Sequence, residues 1–469
     1  MFQPRDIKAA MTKFSVAGAR VVVVGAARSG VAAARLLATR GAQVVLTEQR
    51  RSVGESVTGL QGLGVELELG GHGAQTLDSA DLVVLSPGVL PTVAVLDEVR
   101  RRRVPIISEI ELASRWLQGR VVAVTGTKGK STTVELIGRM LEAGGSVVLV
   151  GGNVGTALSS QVEASTPDMI HVVEVSSFQL ELTRTFRPTI AVLLNLHSDH
   201  LDRHESYTAY LAAKTRIFAN QTASDTLVVN ADDPEVLRLT RSSQGRRVAY
   251  ALTEPLDTGV VVTGDAIVRR SETGDKKLVP LSAVRLLGSH QLSNVLAAST
   301  VADLVGVSPR DMTLAVDRFP GLEHVLEPVG EVAGVRFVND SKATNIEAAR
   351  RAVESCGDHL VVIMGGRFKG GAFESLQGVF ESRADAVIAL GEARERIHAG
   401  LGPVVRIVDA VSLHEAVRVA YGLAVPGGTV LLAPACASLD MFQDYAERGR
   451  VFRQAVDGLK EEIEERREQ

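Results

Sequence analysis

The stretch Val121-Val-Ala-Val-Thr-Gly-Thr-Lys-Gly-Lys-Ser-Thr-Thr133 is an apolar run that enters a glycine loop and leaves it through Lys130-Ser131 into a helical pattern. A strand apolar at consecutive positions is buried on both faces, which calls for a parallel sheet covered by helices. The loop after it has glycine where backbone N–H groups must approach an anion, at Gly126 and Gly129, with Thr127, Lys128 and Thr132 completing the segment. Lys130 adds a point charge for terminal phosphates and Ser131 a hydroxyl for magnesium, so a nucleoside triphosphate is expected, ATP above others. The loop departs from G-x-x-x-x-G-K-[ST], because Val124 stands where the first glycine would fall and the glycine has moved to Gly126. This spacing points away from switch GTPases. A bare connection between strand and helix is the alternative reading.

A chain of 469 residues with 45% hydrophobic content can bury several cores, and its length suggests about three domains. A net charge of -4 gives no reason to expect nucleic acid. Cys356 and Cys436, the two cysteines, indicate no disulfide framework and suit a reducing cytoplasm. Met1 to Val16 mixes Arg5, Asp6, Lys8 and Lys13 with apolar residues and so lacks the core of a signal peptide. No apolar run approaches the ~20 residues that cross a bilayer. A cytoplasmic enzyme without membrane insertion is expected, acting as a monomer. The runs Arg100 to Arg103 and Lys460 to Arg467 read as solvated helix ends.

The pattern predicts an α/β chain of three domains: a Rossmann-like N-terminal domain over residues 1–110, a central P-loop ATPase domain with a parallel-rich sheet over 111–320, and a Rossmann-like C-terminal domain over 321–469. In the first, strand Arg20 to Gly25 meets Ala26-Ala-Arg-Ser-Gly30 and an alanine-rich helix, and strand Gln43 to Thr47 ends near Glu48. The middle glycine of G-x-G-x-x-G is missing, which favours a nucleotide-sugar site or plain packing over a dinucleotide. Strand Asp81 to Leu85 runs into the turn Ser86-Pro-Gly88. The second has strands at Val147–Val150, Ile170–Val175, Thr189–Leu196 and Thr226–Asn230, a helix over Ser206–Asn220, and a short surface β excursion over Asp257–Lys277. A helix around Leu292–Leu304 leads to a hinge at Phe319-Pro-Gly321. The third has strands at Val335–Asn339, Leu360–Met364, Ala386–Leu390, Val404–Val408 and Thr429–Leu432, and a helix over Leu413–Leu423.

Five further constellations lie at strand ends or in loops. Glu174-Val-Ser-Ser-Phe-Gln179 puts a carboxylate where P-loop proteins place a magnesium ligand or its partner. Asn195-Leu-His-Ser-Asp-His200-Leu-Asp-Arg203 follows the next strand, and its carboxylates without cysteines suit a hard ion better than zinc. On composition alone Lys214 reads as a solvated surface lysine. Val338-Asn-Asp-Ser-Lys-Ala-Thr-Asn345, Gly365-Gly-Arg-Phe-Lys-Gly-Gly371 and Ala433-Pro-Ala-Cys-Ala-Ser-Leu-Asp-Met-Phe442 bring an Asp, two lysines and a hydroxyl to one sheet edge, a reception site for an acidic substrate.

Taken in order, T-G-T-K-G-K-S-T, G-G-N-V-G, E-V-S-S-F-Q-L-E, N-L-H-S-D-H-L-D-R, Y-L-A-A-K, N-D-S-K-A-T-N, G-G-R-F-K-G and A-P-A-C-A-S-L-D-M-F resemble the Mur ligase family over essentially the whole chain. The last motifs resemble the branch that adds D-glutamate to UDP-N-acetylmuramoyl-L-alanine in cytoplasmic peptidoglycan precursor synthesis. The resemblance implies that ATP converts the alanine carboxylate to an acyl phosphate, which the D-glutamate amine attacks. It implies two Mg2+ ions, one on Ser131 and Glu174, the other on His200 and a CO2-derived carbamate on Lys214, so that Lys130, His200 and Lys214 are catalytic. By the same resemblance Asn153 contacts the muramoyl substrate, Ala27, Arg28, Ser29, Glu48 and Gly88 hold the uridine end, and Asn294 and Asp340 bind ATP. Lys342, Thr344, Lys369, Ser438 and Leu439 would hold D-glutamate, with Tyr445 where the family often has an aromatic. Two positions depart from the family: Gly321-Leu-Glu-His-Val325 ends in valine where arginine usually reaches ATP, and Gln291 stands where H-N is usual. The rival readings are a folylpolyglutamate synthetase, which generally lacks the N-terminal domain, a non-catalytic nucleotide-binding protein, and a dehydrogenase.

Overall fold

The structure, a computed structural model, describes residues 14–89, 95–197 and 203–468. Its first sheet has strands β1 (Arg20–Val24), β2 (Gln43–Glu48), β3 (Glu66–Leu69), β4 (Leu82–Leu85) and β5 (Ile106–Ser108), all parallel, in the order β3-β2-β1-β4-β5. The valines of β1 explain why the strand sits in the middle. Val21 and Val23 enter one core with Val44, Leu46 and Val84, while Val22 and Val24 enter the opposite core with Val45, Val83 and Leu85. A run apolar on both faces has no solvent side, so helices cover both.

The second sheet holds β6 (Arg120–Thr125), β7 (Val148–Gly152), β8 (Ile170–Glu174), β9 (Ile190–Leu193), β10 (Thr226–Asn230), β11 (Arg246–Ala251), β12 (Gly259–Thr263), β13 (Ala266–Arg270) and β14 (Lys276–Pro280). Their order is β14-β13-β12-β11-β10-β9-β6-β8-β7, parallel up to β12 and antiparallel beyond it. The 257–277 segment is β as expected, but it is not a separate surface excursion. Its strands extend the main sheet and bury Val260, Val261, Ile267 and Val268. The helix that carries Lys214 is also shorter than its pattern suggested: it runs Tyr207–Thr215, capped by Ser206 Oγ accepting from Ala209 N, and passes into a 3-10 turn at Arg216–Phe218.

The third sheet orders β15 (Glu327–Val332), β16 (Val335–Asn339), β17 (Leu360–Gly365), β18 (Ala384–Leu390), β19 (Arg406–Asp409) and β20 (Thr429–Leu432) as β15-β16-β20-β17-β18-β19, parallel except for β15. Alternation along β17 again splits two cores, Val361 and Ile363 on one side, Val362 and Met364 on the other. The final helix, Tyr445–Glu468, buries Phe452, Val456 and Leu459 and carries the charged end expected of a solvated tail.

The chain divides into two compact units, residues 1–283 with 293–316 and residues 284–292 with 317–469. The first two sheets share the first unit. Arg28 Nη2 donates to Asn153 O at 3.1 Å, and Glu111 accepts from the N–H groups of Arg184, Thr185 and Phe186.

Gly365 closes β17 with φ +133°, and a Cβ there would lie 1.8 Å from Leu390 O in β18. Gly365→Ala should therefore destabilise the chain by more than about 2 kcal/mol. Gly378→Ala, with nothing within 4 Å of its Cβ position in helix Gln377–Arg383, should be neutral or stabilising by up to about 1 kcal/mol. Thermal unfolding compares them; equal melting would mean that the end of β17 yields freely.

Candidate active site

Strand β6 ends at Thr125, and the helix Lys130–Ala143 begins four residues after Gly126. Gly129 is the helix N-cap at φ +85°, and a Cβ on it would sit 2.2 Å from Asn294 Oδ1. Glycine is thus required twice over, by the backbone angle and by the buried Asn294. Asn195, after β9, clasps the loop: its Oδ1 accepts from Lys128 N at 2.8 Å, its Nδ2 donates to Lys128 O at 3.0 Å, and its carbonyl accepts from Thr127 N at 2.9 Å. Lys130 Nζ donates to the carbonyls of Gly126 and Thr127 at 3.0 Å. An ammonium and a helix N-terminus thus converge on one glycine loop, an arrangement suited to a polyphosphate.

Next to the loop, Ser131 Oγ donates to Glu174 Oε2 at 2.7 Å, and Asn153 Nδ2 donates to Glu174 Oε1 at 2.9 Å. Three residues expected from separate motifs therefore meet at the ends of β7 and β8. Hydroxyl and carboxylate oxygens fit a hard divalent cation. Among the described residues no group of three His, Cys, Asp or Glu side chains is gathered as a metal site, and His200, with Ser198 to Asp202, lies outside them.

Lys214 corrects the reading from composition. It is 2% exposed, Nζ donating to Gly126 O at 2.8 Å and lying 4.9 Å from the centroid of the Tyr210 ring. Tyr210 OH in turn shares a 2.7 Å hydrogen bond with Thr127 Oγ1. Helical spacing from Tyr210 to Lys214 puts both on the face turned toward the phosphate loop. Nothing in composition distinguishes such a lysine from a solvated one. Tyr210 and Asn195 lie within the motifs, but spacing does not encode their work, which is to hold the loop, Asn195 through its backbone and Tyr210 through Thr127 Oγ1.

At the first sheet, Ala26 N donates to Glu48 Oε2 at 2.8 Å, and Arg50 donates to Glu48 Oε1 at 3.1 Å from both N and Nε. The Arg50 hydrogen bond, above all, holds the Glu48 carboxyl down at about 2, against burial. Ala27 and Arg28 are exposed, Ser29 is buried at the helix start, and Gly88 has open space around it. These residues border the ends of β1, β2 and β4, where the strand order reverses and such sheets take ligands. Arg203, stacked 4.1 Å over Phe178, donates to Pro87 O at 3.1 Å.

In the second unit the three remaining motifs follow β16, β17 and β20, which are neighbours in the sheet. Arg367 and Ala437 exchange backbone hydrogen bonds, and Ala435 N donates to Ala343 O at 2.9 Å. Lys369 Nζ donates to Thr344 Oγ1 at 3.3 Å, Lys342 is half-buried, Ser438 is buried, and Leu439 is 57% exposed. Tyr445 presents its ring edgewise to His324 at 6.3 Å between centroids. Val325 is half-buried, its N–H donating to Leu322 O. Burial pushes the Asp340 carboxyl up to about 7, although Leu326 N donates to its Oδ1.

Three family models match the chain: a Mur ligase MurD-like N-terminal domain over residues 19–108, the Mur ligase middle domain over 124–302, and the Mur ligase glutamate ligase domain over 326–436. The UDP-N-acetylmuramoylalanine–D-glutamate ligase of Acidobacterium capsulatum is 43% identical, covering 94% of this chain and 96% of that one. Its counterpart in Syntrophus aciditrophicus is 40% identical, covering 94% and 98%. Among solved structures, the UDP-N-acetylmuramate-alanine ligase of Thermotoga maritima superposes with a TM-score of 0.59 at 18% identity, covering 94% of this chain and 100% of that one. A pseudomurein peptide ligase type C from Methanothermus fervidus gives the same values. At that identity the likeness is one of fold.

Because the folded Asp340 carboxyl holds its proton up to about 7, while an unfolded one loses it near the ordinary value, its contribution to stability is full in acid and is lost as pH rises through about 7. Asp340→Asn should melt above the parent chain at about pH 8 and no higher than it at about pH 4. A melting difference independent of pH would contradict this.

Proposed function

This chain belongs to the Mur ligase family, and we propose that it is a member that joins D-glutamate to UDP-N-acetylmuramoyl-L-alanine at the expense of ATP, in peptidoglycan precursor synthesis. The observation that supports this most is near-complete mutual coverage with ligases of that printed name at 43% and 40% identity. The reading includes a monomer in the cytoplasm; no helix among the described residues is long and apolar enough to cross a membrane.

The substrate's alanine carboxylate takes the terminal phosphoryl group of ATP, releasing ADP. The amine of D-glutamate attacks the resulting acyl phosphate, and the tetrahedral adduct collapses to an amide as phosphate leaves with its electron pair. Lys130 holds the phosphoryl oxygens during transfer, and the loop N–H groups, held in place by Asn195, take the charge that develops. Ser131 and Glu174 would hold one magnesium ion, and His200 with a carbamate on Lys214 a second; the ions would neutralise charge on the phosphates. Gly126 to Thr132 and Asn294 serve ATP, and on the family resemblance so does Asp340. Ala27, Arg28, Ser29, Glu48, Gly88 and Asn153 receive the nucleotide sugar. Lys342, Thr344, Lys369, Ser438, Leu439 and Tyr445 receive D-glutamate, whose two carboxylates match two ammonium groups.

Phosphate release that requires both UDP-N-acetylmuramoyl-L-alanine and D-glutamate tests the reading; release without D-glutamate, or on a pterin substrate instead, would sink it. Lys130→Ala should keep less than about a tenth of the turnover, since loss of such a contact costs ~2.7 kcal/mol or more. Lys214→Ala should be nearly inactive and partly restored by a short-chain carboxylic acid. Full activity of that variant, or no carbamate signal from the parent chain in labelled bicarbonate, removes Lys214 from the mechanism.

A further inference from the structure

Arg448 lies in the helix Tyr445–Glu468 and is 2% exposed, yet no acidic side chain bonds it among the described residues. Its Nε donates to Ser341 Oγ at 3.0 Å and its Nη2 to Ser341 O at 2.8 Å. Its Nη1 reaches Cys436 O at 3.2 Å and, more weakly, Gly365 O at 3.5 Å. These acceptors belong to the three segments that leave β16, β20 and β17. Lys342 follows Ser341 directly, Ser438 stands two residues beyond Cys436, and Lys369 four beyond Gly365.

Burying a cation with no carboxylate bonded to it is costly; the nearby Asp440 charge and well-placed hydrogen bonds offset only part of that cost. Burial lowers the affinity of this guanidinium for its proton to about 10, which leaves it charged at neutral pH. The segments it grips are leaving regular structure: Gly365, the last residue of β17, Gly366 and Ala435 all have positive φ. A planar fork of five donors can hold carbonyls from three directions at once, which a lysine cannot.

We infer that Arg448 is a positioning residue for the acidic amino acid: it fixes the spacing of the three loops that carry Lys342, Lys369 and Ser438, and its buried charge adds to the field that receives two carboxylates. This role rests on the ligase reading above. It acts through the loops, since the side chain itself is enclosed.

Steady-state phosphate release by Arg448→Lys and Arg448→Met tests it, with the parent chain run alongside. Both variants should raise the apparent KM for D-glutamate about tenfold or more, while KM for ATP and for the UDP-muramoyl substrate stays within about twofold. D-Glutamate should also lose its ability to raise the melting temperature of either variant. If neither variant is soluble, Ser341→Ala removes one bond of the fork and should shift the D-glutamate KM alone, by about threefold. An unchanged D-glutamate KM, a lysine variant as good as arginine, or equal rises in all three KM values would overturn the assignment. A parent chain whose phosphate release ignores D-glutamate would instead overturn the ligase reading and this role with it.

Discussion

Every central strand in the three sheets is covered on both faces, so a side chain that does chemistry can leave the sheet only at a strand's end. The alternation of Val21 and Val23 against Val22 and Val24, or of Val361 and Ile363 against Val362 and Met364, consumes both faces in packing. What remains is the carboxyl edge. Gly126 to Lys130, Glu174 and Asn195 emerge there from β6, β8 and β9, and Asp340, Gly365 and Cys436 follow β16, β17 and β20. The sites are thus set by strand order: neighbours in the sheet deliver loops that touch, although they stand far apart in the chain.

The same constraint decides what could be read from the amino acids. Long β-branched runs such as Thr226–Asn230 and Thr429–Leu432 were legible to the residue, because burial on two faces leaves an unbroken apolar signature. Glu66–Leu69 and Arg246–Ala251, at or nearer the margins and carrying charges, gave no such signature, and Ile106–Ser108 is only three residues long. Glycines and lysines of the phosphate loop announced themselves through spacing. Lys214 did not, since its burial is produced by packing against Gly126 and Tyr210, and family resemblance alone pointed to it. Asn195 and Arg448 were silent for a related reason: apart from the Arg448 bond to Ser341 Oγ, they bond backbone atoms, and any sequence could have supplied those.

Three carboxyls illustrate how far local surroundings outweigh residue type. Glu48 is held down at about 2 by Arg50, while burial pushes Asp340 up to about 7. Glu109, enclosed at the start of the helix Glu109–Ser114, is likewise pushed up to about 7 by burial, with Ser159 N donating to it. The difference is the depth of burial together with whether an arginine lies within bonding distance.

The polar groups of the phosphate loop already serve one another: Lys130 bonds the carbonyls of Gly126 and Thr127, and Ser131 bonds Glu174. A nucleotide that binds here exchanges hydrogen bonds and does not simply add them, so much of its intrinsic attraction goes into displacing these internal partners. Such a site discriminates by charge. A neutral molecule of the right shape breaks the same internal bonds and gains only ordinary ones in return, whereas a polyphosphate gains charge-assisted ones. Occupancy by uncharged bystanders is thereby suppressed without any steric gate, and a competitor built to fit the loop by shape alone would find the loop's own contacts its strongest rival.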